Sequence, residues 1–366
     1  MLREDYETKF TTLNQLFEIG TPNKNGRLRL REIDIKSLKT DQLYPHRQVI
    51  RFNSTFVEVM DSWEFIRGRA TALVLPMWAV LTLGMFVCSY GIYKVVLAHE
   101  YLIAVGLGVF ILGILYLIYS NYQMAKYDLF GYTHYPIRFN RKTQKVYAFS
   151  PQQQKMIELN WRDLRFSAVK EGDDIELRAS LVNADNIVEE EIIFPFLAPR
   201  YQPELVDQHL AFFKAYMQGD DLKRIDAAIP EFFDIYNRKE SFKETFERVY
   251  MVNGIVERVQ QKRPKERYML SVSLNIIFWL PTLFLRRLGL LFSTIPEWPT
   301  HIEKECRIER NDTYDSTNKQ RHLAPLKFSW AQILVIFLSG LILFSLAIVF
   351  FIGLAYLSWN YRYDVC

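Results

Sequence analysis

The chain has 366 residues, a formal net charge of +4, 23% charged residues and a mean hydropathy of −0.04. Those averages resemble a soluble protein, yet the charges are missing from three long stretches and crowded between them, the mark of a chain that meets two solvents. So small a positive surplus, with no basic tract interleaved with aromatics, excludes a nucleic-acid partner.

Residues 1–69 read as a cytoplasmic segment. No signal-peptide apolar run opens them, so the first span is expected to act as the insertion signal. The alternating RLRLR at 27–31 and the run 49–53, continuing through Phe56, Val57 and Val59, read as strands that join the sheet structure after residue 133.

Residues 70–125 form the expected transmembrane hairpin. The stretches 70–93 and 101–125 carry no charge, and each exceeds the roughly 20 residues that cross about 30 Å of hydrocarbon. Gly84, Cys88 and Gly91 on the first, with Ala104, Gly108 and Gly113 on the second, recur near helical spacing and are expected to let the two backbones approach. Arg51, Arg67 and Arg69 precede the hairpin, and Lys126, Arg138, Arg141, Lys142 and Lys145 follow it. Lys94 alone lies between the spans. The positive-inside bias places both flanks in the cytoplasm and the tip outside.

Residues 126–219 read as a β-rich module. Its strands are expected at 136–140, 145–150, 155–161, 164–170, 174–183 and 186–194, with turn signals between them. Alternation is plainest where Ile175, Leu177, Ala179 and Leu181 interleave with polar residues. A helix is expected from Pro203 to Gly219, with Leu205, Val206, His209, Leu210, Phe212, Phe213 and Tyr216 on its apolar face. Strands closed by one amphipathic helix, directly after a membrane hairpin, resemble the pleckstrin-homology-like domains of bacterial membrane proteins.

Residues 220–267 are expected to be helical. Ser241 and Glu244 form a capping box, and Phe242, Phe246, Val249, Val256 and Val259 mark an apolar face. Arg258, Lys262, Arg263, Lys265 and Arg267 follow, the candidate residues for contact with anionic headgroups at roughly 1 kcal/mol each. The alternative is a topological anchor that reads no particular lipid. Residues 268–295 are apolar until Pro281, Arg286 and Arg287. A full span there would put Arg286, Arg287, Lys304, Arg307, Arg310, Lys319, Arg321 and Lys327 outside. The charge bias therefore favours a re-entrant or interfacial arrangement over a fourth span. Residues 296–330 read as a cytoplasmic linker. Residues 331–357 read as a last span between Trp330 and Trp359, placed as an interfacial belt. The expected architecture is thus an integral membrane α-helical protein bearing a cytoplasmic α+β module, a PH-like antiparallel barrel or sandwich with a C-terminal helix.

No catalytic signature stands out. A Walker loop, a dinucleotide fingerprint, a GxSxG elbow and HExxH are all missing, and Gly106 and Gly108 lie inside a span. The six histidines never fall at ligand spacing, and His209 reads as a satisfied core residue. The run Glu189, Glu190 and Glu191 reads as the solvated edge of a strand. Cys88, Cys306 and Cys366 form no CxxC pair, so no disulfide framework or zinc site is expected, and the last four residues do not fit a prenylation box. No span carries a mid-depth charge of the kind that marks an ion pathway. Neither a cofactor nor a metal is expected.

Residues 128–149 (DLFGYTHYPIRFNRKTQKVYAF) and 160–166 (NWRDLRF) resemble a family of uncharacterised bacterial inner-membrane proteins, often encoded near type VI secretion effectors, over about residues 45–300. That family has no established active site. The resemblance implies a setting: a non-enzymatic immunity or accessory protein in interbacterial antagonism, multi-pass in the inner membrane, with its N-terminus cytoplasmic. Its module would bind a protein partner, a toxin or a secretion component. The alternatives are a lipid-sensing scaffold that reads anionic headgroups and a membrane enzyme whose catalytic groups are scattered along the chain.

Overall fold

The computed structural model describes residues 15–20, 28–61, 67–150, 155–172, 174–230, 232–233, 235–246 and 282–317, with single positions between 329 and 353. Among the described residues ten strands form two five-stranded sheets, antiparallel throughout. The first sheet holds β1 (Gln15–Leu16), β10 (Ile187–Pro199), β9 (Asp174–Val182), β8 (Leu164–Glu171) and β2 (Arg29–Ile33), in that order. The second holds β3 (Val49–Phe52), β4 (Phe56–Val59), β5 (Ile137–Asn140), β6 (Lys145–Ser150) and β7 (Lys155–Asn160).

The period of two decides which face is buried. Ile175, Leu177 and Ala179 of β9 enter the core, joined by Val57, Phe139, Val146, Phe166 and Phe194 from other strands. Helix α3 (Glu204–Gln218) closes this core with Val206, Leu210, Phe213 and Tyr216. Its Phe213 ring sits 4.4 Å from Phe139 and 5.0 Å from Phe194, centroid to centroid. Trp161, in a short 3-10 turn between β7 and β8, packs 5.0 Å from Phe166 at the corner where the chain changes sheets.

Of the barrel and the sandwich expected, the barrel does not close. Strand β8 already has β9 on one edge and β2 on the other, so β7 finds no free edge to join and the sheets stay separate. The N-terminal strands thus complete both sheets: β2 pairs with β8, and β3 and β4 extend from β5. The outer edge of β3 is not left open. Ser316 donates its N–H to the Phe52 carbonyl at 2.9 Å and accepts the Phe52 N–H on Oγ at 2.7 Å, and Phe233 N donates to Val49 O at 2.9 Å. Capping of this kind blocks pairing with a foreign strand.

Strands β4 and β5 are direct neighbours, with Val59 opposite Ile137. Everything between them is an excursion from one strand connection. That excursion is the helical hairpin α1 (Arg69–Leu97) and α2 (Tyr101–Leu129). Both helices are long and apolar enough to cross a membrane, and in the apolar window of each only 6% is buried inside the protein. The expected small-residue seam holds on one side only. Gly84 and Gly91 face Ile114 and Leu107 of α2, whereas Gly108 and Gly113 face open space. The third expected span, 331–357, falls mostly outside the described residues; those described there are helical, with Ile333 buried and others, such as Leu338, Ile342, Leu346 and Val349, exposed.

Helix α4 (Leu222–Ala228) follows α3, α5 occupies residues 282–292, and α6 is Thr300–Glu305. Residues 296–317 lie along the outer face of the second sheet. Ile302, Cys306 and Trp298 cover Phe56 and Tyr147 there. Arg138 donates two hydrogen bonds to one Glu58 oxygen, at 2.7 and 2.9 Å, beneath Trp298. Burial alone would raise the Glu58 carboxyl; the charges of Arg138 and Arg51 overturn that and hold it low. Asn53, in a glycosylation-like triplet, is buried and accepts the N–H groups of Thr55 and Phe56.

The outer face of the first sheet corrects one expectation. Glu191 is not solvated: its side chain is 6% exposed and bridges Arg29 at 2.5 Å and Arg178 at 2.8 Å. Register shifts in β10 on both sides of this stretch turn Ile192 and Phe194 into the core and Glu191 to the opposite face. Arg178 also binds Glu176 at 2.7 Å, so the charges compensate one another out of water.

His209 lies in the core, as its pattern implies. Its Nδ1 donates to Tyr44 O at 2.8 Å, so Nε2 accepts from the Gln48 amide at 2.9 Å. His46 lies beside it, both rings packing on Phe196. Burial pushes the His46 imidazole down to about 3 and that of His209 to about 4, from an ordinary 6.5. Unfolding therefore takes up protons below pH 6.5, and the stability these rings confer is complete above that value and drains away toward pH 4 and then 3. For His209 the loss by pH 4 is about 3 kcal/mol. Melting temperatures of the detergent-solubilised chain should fall as the pH drops from 6.5 to 5, above the range in which most carboxylates titrate; a flat profile over that window would contradict the buried neutral rings.

Candidate functional site

Both ends of the hairpin meet the domain in a buried polar knot. Helix α1 starts at Gly68, which has no side chain to cap it, and its first turn contains no acid. Its leading N–H groups therefore need an acceptor from elsewhere. Asp128 is in the last turn of α2, where the helix dipole disfavours an anion. The two misfits answer each other. The Asp128 carboxylate accepts from Gly68 N at 2.9 and 3.0 Å, from Thr71 N at 3.0 Å and from Thr71 Oγ1 at 2.7 Å. It thereby caps the helix that begins the hairpin from the helix that ends it.

Arg67 ties in a third element. Its guanidinium donates to the Asp128 carbonyl at 3.2 Å, to Ser293 Oγ at 3.1 Å and to the Tyr132 carbonyl. Ser293 and Thr294 follow α5, and Thr294 pairs with the chain at Tyr132. The packing leaves no room for side chains at two points. A Cβ on Gly68, which has φ of +86°, would lie 2.7 Å from Arg286 N, and one on Gly289 would lie 2.7 Å from Asp128 O. Val74, Ala125 and Leu129 form a small apolar cluster beside the knot, with Trp78 and Leu288 against it.

A second buried pair, between α5 and Glu240, joins the knot. Arg286 binds Glu240 at 2.8 Å with both side chains nearly fully buried, and Arg287 donates to the Glu240 carbonyl. The expected capping box is present: Ser241 N donates to Glu244 Oε2 at 2.7 Å and Glu244 N to Ser241 Oγ at 3.3 Å. Burial pushes the Glu244 carboxyl up, but Arg238 and Ser241 hydrogen bonds bring it down to about 2. The headgroup candidates Arg258, Lys262, Arg263, Lys265 and Arg267 lie outside the described residues.

Among the described residues no three His, Cys, Asp or Glu side chains gather as a metal site. Two grooves, of about 410 and 660 Å³, open beside α3 and the 31–43 segment. Lys214 and Arg224 line the smaller one, and each donates to backbone carbonyls of residues 36–41. Among the described residues, carboxyl groups whose proton affinity is displaced, such as Glu58, Glu191, Glu244 and Asp312, are held low.

The sequence marks Arg67 only as a cation flanking the hairpin and does not single out Asp128 or Glu240. A signal existed in the pairing of an acid-free helix start with an acid at a helix end, each unfavourable alone. Only the fold shows that they adjoin.

A profile of the DUF6708 family matches residues 114–310, more than half of the chain. The chain belongs to the DUF6708 family, a family of unknown function. The matched region of this DUF6708 protein runs from within α2 through α6, so it contains Asp128, Arg286 and Ser293 but not Arg67 or β2–β4. No curated protein and no solved structure matches the chain.

Replacing Asp128 with Ala strips the acceptor from three buried donors and should cost about 3 kcal/mol. Asn, which keeps one acceptor oxygen, should cost less. Thermal unfolding in detergent checks both; an Ala variant as stable as the parent would deny the knot its role.

Proposed function

We propose that this DUF6708 protein is a multi-pass membrane protein, non-enzymatic, that holds a cytoplasmic α+β module against the inner leaflet for a protein partner. The observation that carries the reading is the hairpin. Two long apolar helices leave one strand connection and bury only 6% of their apolar windows in the protein, so they are not core helices of a soluble fold. Exposed side chains such as Leu102, Phe86 and Leu112 would each cost burial energy in water and none in lipid. The charge bias supports a cytoplasmic N-terminus and tip outside. A two-sheet core closed by α3 is what supports the PH-like reading of the module.

The full chain should pellet with membranes and stay there through alkaline carbonate extraction. Recovery of the native chain in the carbonate supernatant, monodisperse without detergent, would end the membrane reading.

The setting we propose is the bacterial inner membrane and interbacterial antagonism, as an immunity or accessory protein for type VI secretion. It rests on the resemblance at residues 128–149 and 160–166. Cells lacking the chain should lose survival when challenged by sister cells that secrete the cognate toxin, and re-expression should restore it. Undiminished survival would remove immunity from the account. The second reading is a lipid-sensing scaffold, favoured by the cations Arg258, Lys262, Arg263, Lys265 and Arg267 next to an apolar segment.

A further inference from the structure

The hairpin sets a depth scale for everything packed at its base. Helix α1 has 29 residues and α2 has 29. At 1.5 Å per residue each is roughly 43 Å long, which matches the about 40–45 Å of a bilayer including its headgroup layers. If the turn at Ala98 reaches one headgroup layer, the knot at Gly68 and Asp128 stands in the other. Tilt only draws the knot further toward lipid.

Helix α5 is fixed to that knot by the Ser293 bond to Arg67 and by the contact of Gly289 with the Asp128 carbonyl. Its inner side is buried through Leu283, Arg286 and Leu290. At its end Leu291 is 61% and Phe292 58% exposed, next to Phe130, 54% exposed, at the end of α2. The rings of Tyr122, Phe130 and Phe292 follow one another at 6.4 and 6.1 Å, a ladder from the hairpin's apolar surface onto α5. The apolar surface is thus continuous from hairpin to α5. Lys239 donates to the Leu291 carbonyl at 2.9 Å, so a cation stands beside the patch.

We propose that the α5 end is a second membrane-contact site: Leu291, Phe292 and Phe130 seat in the headgroup layer of the leaflet that the hairpin enters, locking the domain flush against the bilayer. The occupant is the lipid interface. Aromatic rings are favoured at that depth, and Lys239 is placed for a phosphate. The inference rests on the membrane reading of the hairpin and adds to it a fixed contact outside the spans. It also gives the segment around Arg286 an interfacial position: its two arginines point to Glu240 and not across the bilayer.

Spin labels on the full chain, reconstituted into vesicles of phosphatidylcholine and phosphatidylglycerol, test it. Labels go singly on L291C and F292C, with F86C and L112C as hairpin references and Y201C as an exposed domain reference, in a background with the native cysteines replaced. The two α5 labels should show oxygen and nickel-chelate accessibilities of headgroup depth, between the deep hairpin labels and the aqueous Y201C label. Deep F86C and L112C labels with α5 labels as aqueous as Y201C would overturn the inference and leave the membrane reading standing. Aqueous labels at all positions would overturn both. Should loss of the buried Cys306 spoil folding, F292W in the native chain replaces the label. Its added emission should be quenched by lipids brominated near the headgroup more than by lipids brominated near the chain end, and the absence of any quenching would overturn the inference.

Discussion

Asp128 sits where a carboxylate is least welcome on its own helix and most welcome on another. The N-terminus of α1 presents unsatisfied N–H groups and a positive dipole end, and Asp128 supplies the acceptor from the last turn of α2. Neither helix end is satisfied without the other, so the hairpin closes on itself at its base. Arg67 extends the closure to the Tyr132 carbonyl and to Ser293 after α5. The domain and hairpin are thereby held as one body through buried polar bonds whose loss leaves buried donors bare.

The same economy of charge recurs in the domain. Arg138 with Glu58, Arg286 with Glu240, and the chain Arg29, Glu191, Arg178 and Glu176 are all buried pairs or networks. Buried pairs add little net stability over apolar replacements, but breaking one leaves a charge uncompensated. Their placement is what is informative. Arg138 and Glu58 lie beneath the 296–317 segment, and Arg286 on the inner side of α5 reaches Glu240. The first fixes where residues 296–317 fold back on the second sheet, and the second fixes α5 to the segment around Glu240.

Much of the module was legible in the sequence because period-two alternation survives wherever one face of a strand is buried. Strand β6 and the α3 boundaries at Pro203 and Gly219 fall where expected, and the capping box at Ser241 is formed. The apolar helices were legible from the lack of charge. What stayed hidden was long-range. The strand at 27–31 joins the later sheet structure as expected, but no local pattern announces that β2 takes the free edge of β8 and so keeps the sheets apart. Glu191 looked solvated because a strand shift, invisible in composition, turns it toward Arg178. The outward-facing Gly108 and Gly113 show that small residues at helical spacing do not by themselves say which face meets the neighbour.

If the knot joins both hairpin ends on one side of a bilayer, the turn at Ala98 must emerge on the other. Cysteines introduced singly at Ala98 and at Lys223 on α4, in a chain otherwise free of cysteine, can be labelled in spheroplasts with a membrane-impermeant maleimide. The account requires Ala98→Cys to label at once and Lys223→Cys only after permeabilisation. Equal labelling of both before permeabilisation would contradict it.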